Sequence, residues 1–566
     1  MSKIQIRLKF QFIFYFFLLA FCANSQNTIE GIPDKQFIDI KSFSGWSISS
    51  LPMKQPDLFP ESELIDSVGY GFNRAKIAWY CIDPLFLRNN SATPVHIKLN
   101  PDLQSNHFVR EVYEKEITPN KYPENNIPQN IAVLNLAFYP EEKGHYNYDV
   151  FPTSFSEGID TFGQLHNPQT RWGGIARGLW SDSNFELKNI KFLEFWLMDP
   201  FVYDSTHSGG ELYVNLGDIS EDILKDSLQF YEQGLIVESH DTTIWGLVPN
   251  NRPQYNAFSS GETMREYQDV GYDGLRTVEE QEFLDDYLDA VFLHSGYETY
   301  QKELTDPSHD NYHYFKGSDY DEQELGILDR YKFYNNSDGN SPTASQSTEY
   351  YQTMGTITPD SEDYNRDTLF NQEENYFQYL IHIKPDSFKI GHNFIDDTIS
   401  YNARFENETR SWVTWYHFTI PLDSIQRKVG NINDFKNIRY VRIFLRGFEK
   451  PIILRFATLT LTSKLDERYI ISEQIQEDRI YIYPNPSTGN FKFYHKGDVN
   501  FYDFELYDML GRKIEIEQIA DQYFNFIDIN LKNIELRGLR ESIFFLHYRF
   551  NESPFYGCKK ILIFKE

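Results

Sequence analysis

Two twelve-residue stretches carry oxygen ligands at the spacing that wraps a hard cation. In the first, Asp269-Val270-Gly271-Tyr272-Asp273-Gly274 is followed by Thr277 and Glu280. These occupy places one, three, five, six, nine and twelve of an EF-hand-type loop, with Gly274 at the sharp turn. Gly271 removes one usual ligand, so a water or a neighbouring loop must substitute. In the second, Asp363, Asn365, Asp367, Asn371 and Glu374 repeat the spacing more fully, although Thr368 stands where glycine is expected. The ion such loops take is calcium, held structurally, since extracellular modules bind at about 10⁻⁴ to 10⁻³ M. The bland alternative is that Asp, Asn and Gly cluster because turns favour them.

Other chemistry finds less support. His309 and His313 have the i, i+4 spacing of a helical zinc site, but Asp310 and Asn311 stand where a metalloprotease needs its Glu. Asp306-Pro307-Ser308 also argues for a turn, so these histidines read as structural. No Gly-x-Ser-x-Gly elbow, phosphate-binding Gly-Lys-Ser/Thr or cysteine nucleophile with evident His partners occurs. The residues therefore predict no catalytic site. Glu141-Glu142, Glu279-Glu280 and Glu373-Glu374 are too ordinary in an acidic chain to indicate glycosidase work, which depends on a separation in space.

The elements that must position these groups are mainly strands. Short alternating apolar runs bounded by Gly, Pro, Asn and Asp recur at 192–198, 211–216, 415–422, 439–445 and 453–460. They predict jelly-roll-like β-sandwiches. The stretch 250–374 is acidic, loop-rich and weakly periodic; its best helix is expected over Glu279 to Leu293, with acidic residues in the first turn. Since single cores stop growing beyond about 250–300 residues, two or three units are expected. The expected division is 26–249, a sandwich region; 250–374, the insert with the calcium-like loops; 375–465, a second sandwich region; 466–477, a linker; and 478–566, a small C-terminal domain. Trp172, Trp180, Trp196, Trp412 and Trp415 read as inter-sheet core, or else as sugar-stacking platforms if exposed.

Composition narrows the surroundings. A formal net charge of -30 disfavours nucleic acid and favours cations as ligands, unless the acidity serves only solubility. Lys3, Arg7 and Lys9 precede an apolar run from Phe10 to Ala23, which reads as a signal peptide over 1–25. Its removal takes Cys22 with it, leaving Cys81 and Cys558 in different expected domains and no disulfide framework. No series of strands suggests an outer-membrane barrel, and no transmembrane segment is expected in the mature chain.

Two resemblances give these features an address. Tyr483-Pro484-Asn485-Pro486-Ser487-Thr488-Gly489-Asn490, Glu505-Leu506-Tyr507-Asp508-Met509-Leu510-Gly511-Arg512 and the closing Lys559-Lys560-Ile561-Leu562-Ile563 resemble the type A C-terminal sorting domain of the Bacteroidetes type IX secretion system. That resemblance implies an immunoglobulin-like β-sandwich, export across the outer membrane, and the translocon and a sortase as partners. Between Phe72 and Leu461 the chain resembles the SprA (Sov) family of gliding-motility and translocon proteins. The blocks that carry it include 73–84, 107–112, 138–147, 171–175, 194–201, 215–222, 306–318 and 454–459, for example Asn73-Arg74-Ala75-Lys76-Ile77-Ala78-Trp79-Tyr80 and Glu194-Phe195-Trp196-Leu197-Met198-Asp199-Pro200-Phe201. SprA proteins are far longer and contain a large barrel, so the resemblance implies a non-membrane module. The expected function is a non-enzymatic surface protein in secretion or gliding motility, with cell-surface proteins or glycans as further partners. A carbohydrate-binding adhesion module is the alternative, and a hydrolase assembled from distant carboxylates the third reading.

Overall fold

The computed structural model describes residues 37–119, 129–179, 182–232, 240–249, 258, 267–341 and 359–463, together with strand segments between 480 and 564. The expected signal peptide and linker lie outside the described residues, as does Trp180. The chain divides into two compact units, Met1–Lys464 and Leu465–Glu566.

The larger unit is built on two antiparallel sheets. In chain order its strands are β1 (Phe37–Asp39), β2 (Ser47–Ile48), β3 (Ala75–Tyr80), β4 (Leu134–Lys143), β5 (Trp172–Gly178), β6 (Phe192–Met198), β7 (Gly210–Asp218), β8 (His240–Thr242), β9 (Leu247–Pro249), β10 (Asn375–Ile383), β11 (Ile395–Arg404), β12 (Arg410–Pro421), β13 (Arg427–Val429), β14 (Tyr440–Arg446) and β15 (Ile452–Thr462). One sheet runs β11-β12-β6-β15-β4-β3, with β1 also on β15; the other runs β13-β10-β7-β14-β5-β2. Eight of these strands trace a jelly roll, β4-β15-β6-β12 facing β5-β14-β7-β10, and successive strands cross between the sheets except at β7 to β10. Of the remaining strands, β3, β11, β2 and β13 widen the edges, β1 pairs with the end of β15, and β8 and β9 form a two-stranded sheet of their own.

This corrects the expected pair of separate sandwiches. Strands from 26–249 and 375–465 alternate within the same two sheets, so neither region can satisfy its backbone without the other. The sheets meet closely where β5 crosses β4. A Cβ on Gly173 would lie 3.0 Å from the Phe138 ring, so glycine near the start of this buried strand lets the sheets approach.

Both sheets are covered outside as well as between. Leu193, Phe195 and Leu197 of β6 face the inter-sheet core with Phe418 and Phe456, while Trp196 and Met198 join Trp415, Val413, Val112 and Ile117 in a separate outer cluster. A third cluster sets Ala78, Tyr80 and Ala137 against Phe86, Phe315 and Tyr331. Strands covered on two sides lose the alternation of a half-exposed sheet, so β3 is buried at every position.

Over the other sheet, Arg442 of β14 is fully buried and forms a two-pronged pair with Glu374, at 2.9 Å and 2.7 Å. Glu374 also accepts from the Ser220 amide at 2.9 Å, tying the end of β7 to the start of β10. Burial alone would lower the guanidinium pKa, but Glu374 holds it raised.

The chain between β7 and β10, residues 219–374, forms one large insertion that starts earlier than the expected 250. The expected helix appears there as α1 (Thr277–Phe283) and α2 (Asp285–Ser295), broken at Leu284, followed by α3 (Tyr297–Glu303). The smaller unit contains two four-stranded antiparallel sheets. In it, the first four residues of the Glu505–Arg512 motif lie on β16 (Phe501–Asp508) and the closing basic-apolar motif on β17 (Tyr556–Phe564). The chain is thus mainly β, as expected.

Replacing Glu374 with Ala strands a buried guanidinium. Urea unfolding of the full chain should show a loss of about 3–5 kcal/mol in the larger unit, and a loss below about 1 kcal/mol would refute the pair's role.

Candidate functional site

Burying a carboxylate requires that a proton, a cation or a set of hydrogen-bond donors meet it. The insertion contains an unusual number of such groups, and most are met by backbone amides. Glu362 accepts from the amides of Ile223 (2.7 Å), Leu224 (3.1 Å) and Phe230 (3.0 Å). Glu232 accepts from Gly271 and Asp360, and Glu221 from Tyr364 and Asn371. Each carboxylate therefore serves as a hub that fixes two loop segments at once. Burial pushes the Glu221 carboxyl up to about 8, against the pull of its amide donors.

The expected first loop is only half assembled as a ligand set. Asp269 turns away from Asp273 and Glu280 and accepts from the amides of Asn340 (2.9 Å) and Ser341 (2.6 Å). Thr277, at the start of α1, donates to Asn311 at 3.1 Å. Asp273 and Glu280 do converge, and the third member is Asp310, from the turn after Pro307. One oxygen from each of the three lies within 4.8 Å of the others.

The geometry around this triad is specific. Asp273 accepts from the Ser308 hydroxyl at 2.7 Å, and Asp310 from the Tyr146 hydroxyl at 2.8 Å. The Tyr146 oxygen in turn accepts from the Tyr272 amide at 2.8 Å. Glu280 reaches the Ser308 amide with one oxygen at 3.4 Å, while its Oε1 and the Oδ1 of Asp310 are buried with no hydrogen-bond partner. Burial, and then the charges of the neighbouring acids, push all three carboxyls well above the usual range. Asp310 was not singled out as a ligand, because nothing in the local spacing links it to a loop more than thirty residues earlier.

In the second expected loop the ligand positions serve other partners. Asp363 accepts from the amides of Asp367 and Thr368, closing its own turn, and Thr368 takes a positive φ of 66° where glycine was expected. Asn365 donates to Asp367 and Tyr440, Asn371 donates to the Ile219 carbonyl, and Glu374 belongs to Arg442. A second acidic group, Asp222, Asp226 and Glu362, was also missed in the sequence, but its oxygens are engaged by backbone amides and by Lys225.

The histidines do not form a pair. His309 contacts Glu303 at 2.9 Å, and His313 contacts Asp319 at 2.7 Å while stacked on Tyr320. Burial would raise the Glu303 carboxyl, but Lys143 and His309 hold it below the usual range. Of the tryptophans, Trp172, Trp196 and Trp415 are core residues, whereas Trp412 is 65% exposed on β12.

Comparison with known families adds what this geometry does not carry. Residues 286–482 match the SprA_N family, described as a motility related/secretion protein. Residues 481–563 match the secretion system C-terminal sorting domain. The chain is SprA-like, with a sorting domain behind it. Its sorting domain marks it for export across the outer membrane, to the cell surface or the extracellular space, and the secretion machinery handles it. No curated protein matches the chain. The SprA_N match begins inside α2 and takes in β10 to β15, so the strands that complete both sheets precede it. No helix among the described residues is long and apolar enough to cross a membrane.

The hub reading makes a sharp prediction for Glu362→Gln. An amide side chain offers one acceptor oxygen where the carboxylate offers two, so at least one buried N–H loses its partner at a cost of about 1–3 kcal/mol. Urea unfolding measures it, and an unchanged midpoint would contradict the hub.

Proposed function

We propose that this protein is a non-enzymatic interaction module, exported by the type IX route and working at the cell surface in secretion or gliding motility. The observation that carries the reading is the direct succession of the SprA_N match and the sorting-domain match, 286–482 and then 481–563. The sorting domain supplies the address, and the jelly roll with its large insertion supplies the recognising surface. The translocon and a sortase meet the chain during export; cell-surface proteins meet it afterwards.

A jelly roll closed on both outer faces suits this role. Its loops can vary while the sheets stay fixed, the usual arrangement for a binding scaffold. Fold alone leaves the ligand open. One observation favours a glycan ligand, the exposed indole of Trp412 on a strand whose other tryptophan is buried. An exposed aromatic face of this kind can stack on a sugar ring.

Removal of residues 481–566 should trap the remainder in the periplasm of a cell that still exports other cargo, as read by fractionation and immunoblotting. Undiminished export would defeat the proposal. On the interaction-module reading, a glycan array shows no signal above background. A signal that falls at least about tenfold in Trp412→Ala, equivalent to about 1.4 kcal/mol, would transfer the function to carbohydrate binding.

A further inference from the structure

Asp273, Glu280 and Asp310 are 1%, 0% and 0% exposed, and among the described residues no ion pair reaches any of them. The nearby basic side chains are engaged elsewhere. Lys143 and His309 serve Glu303, and Lys76 donates to Asn336 at 2.6 Å. Three carboxylates at such close range repel one another, and in a medium of low polarity that repulsion is strong.

The surroundings do not resolve the conflict as they do elsewhere in the insertion. At Glu362 both oxygens face backbone amides. In the triad, Oε1 of Glu280 and Oδ1 of Asp310 are sealed from solvent without a donor. The approach of Asp310 also requires glycine at position 271. Gly271 has a φ of +71°, and a Cβ there would stand 2.0 Å from Asp310 Oδ2.

We propose that Asp273, Glu280 and Asp310 form a site for a divalent cation, calcium, that clamps the insertion by joining the loop before α1, α1 itself and the turn after Pro307. The donor set is all oxygen, which disfavours zinc with its preference for nitrogen and sulfur. Carboxylates bind calcium with one or both oxygens at about 2.3–2.6 Å, so oxygens within 4.8 Å of one another fit around a single ion. Magnesium ordinarily retains several waters, for which a fully buried triad is a poor host. The Tyr146 hydroxyl holds one oxygen of Asp310, and the Ser308 hydroxyl and the Leu275 amide (3.0 Å) each hold one of Asp273, so the ligands are oriented by their neighbours. This site does not depend on the secretion reading, and it replaces Asp269 of the spacing-based loop with a residue from a different turn.

The test uses the full chain, purified with calcium and again after exhaustive chelation. Elemental analysis of the calcium-loaded protein should give about one calcium per chain, and returning about 1–10 mM calcium to the stripped protein should raise its Tm by several degrees. Asp310→Asn and Glu280→Gln should each abolish the metal-dependent rise while keeping the far-UV circular dichroism of the stripped parent. Glu362→Gln should keep the rise. Absence of retained metal and of any Tm response in the unaltered protein would overturn the proposal, as would a response that survives in both triad variants. An equal response to magnesium would overturn the choice of calcium.

Discussion

A carboxylate taken out of water must find a counter-charge or donors, and this requirement organises the part of the molecule that the apolar pattern leaves undetermined. Glu221, Glu232, Asp269 and Glu362 are buried, and each collects amide hydrogens from a different stretch of chain. Amides left unpaired inside a protein are expensive, so a loop that offers several of them is held where a carboxylate can receive them. Acidic residues thus do in the insertion what strand ladders do in the sheets. The net charge of -30 is in part an internal structural resource, not only a property of the surface.

The jelly roll sets the boundary conditions for that arrangement. Its only same-sheet step among the eight core strands, β7 to β10, is the place where the insertion leaves and returns. Because β7 and β10 pair along their length, the two ends of the insertion are fixed side by side, and the Arg442–Glu374 pair with the Ser220 amide locks that junction. Apolar anchors from the insertion, including Phe230, Tyr272, Leu288 and Val291, continue into the main core. The insertion is therefore an integral layer of the unit. Cys81, in this unit, is a free thiol.

Much of the fold was legible in local pattern. The strands of β6, β7, β12, β14 and β15 stand where alternating runs placed them, and Glu279 to Leu293 is helical apart from the break at Leu284. The number of sandwiches was not legible, because a jelly roll pairs strands far apart in the chain. Thus β6 lies between β12 and β15, and no local run announces such a neighbour. The candidate site was legible only in part for the same reason. Asp273 and Glu280 share a spacing that brings them together, but Asp310 joins through tertiary folding alone. In the second stretch the residues at ligand spacing close a turn or pair with Arg442, an outcome set by β14 on a distant part of the chain.

The central claim is that buried carboxylates hold the insertion as firmly as the sheets are held. Native-state hydrogen exchange reads this directly, amide by amide. The amides of Ile223, Leu224, Phe230, Gly271, Ser341, Tyr364 and Asn371 should exchange on the timescale of the central strands β7 and β14. Exchange of these amides at the rate of an open surface loop, while the strands stay protected, would contradict the account.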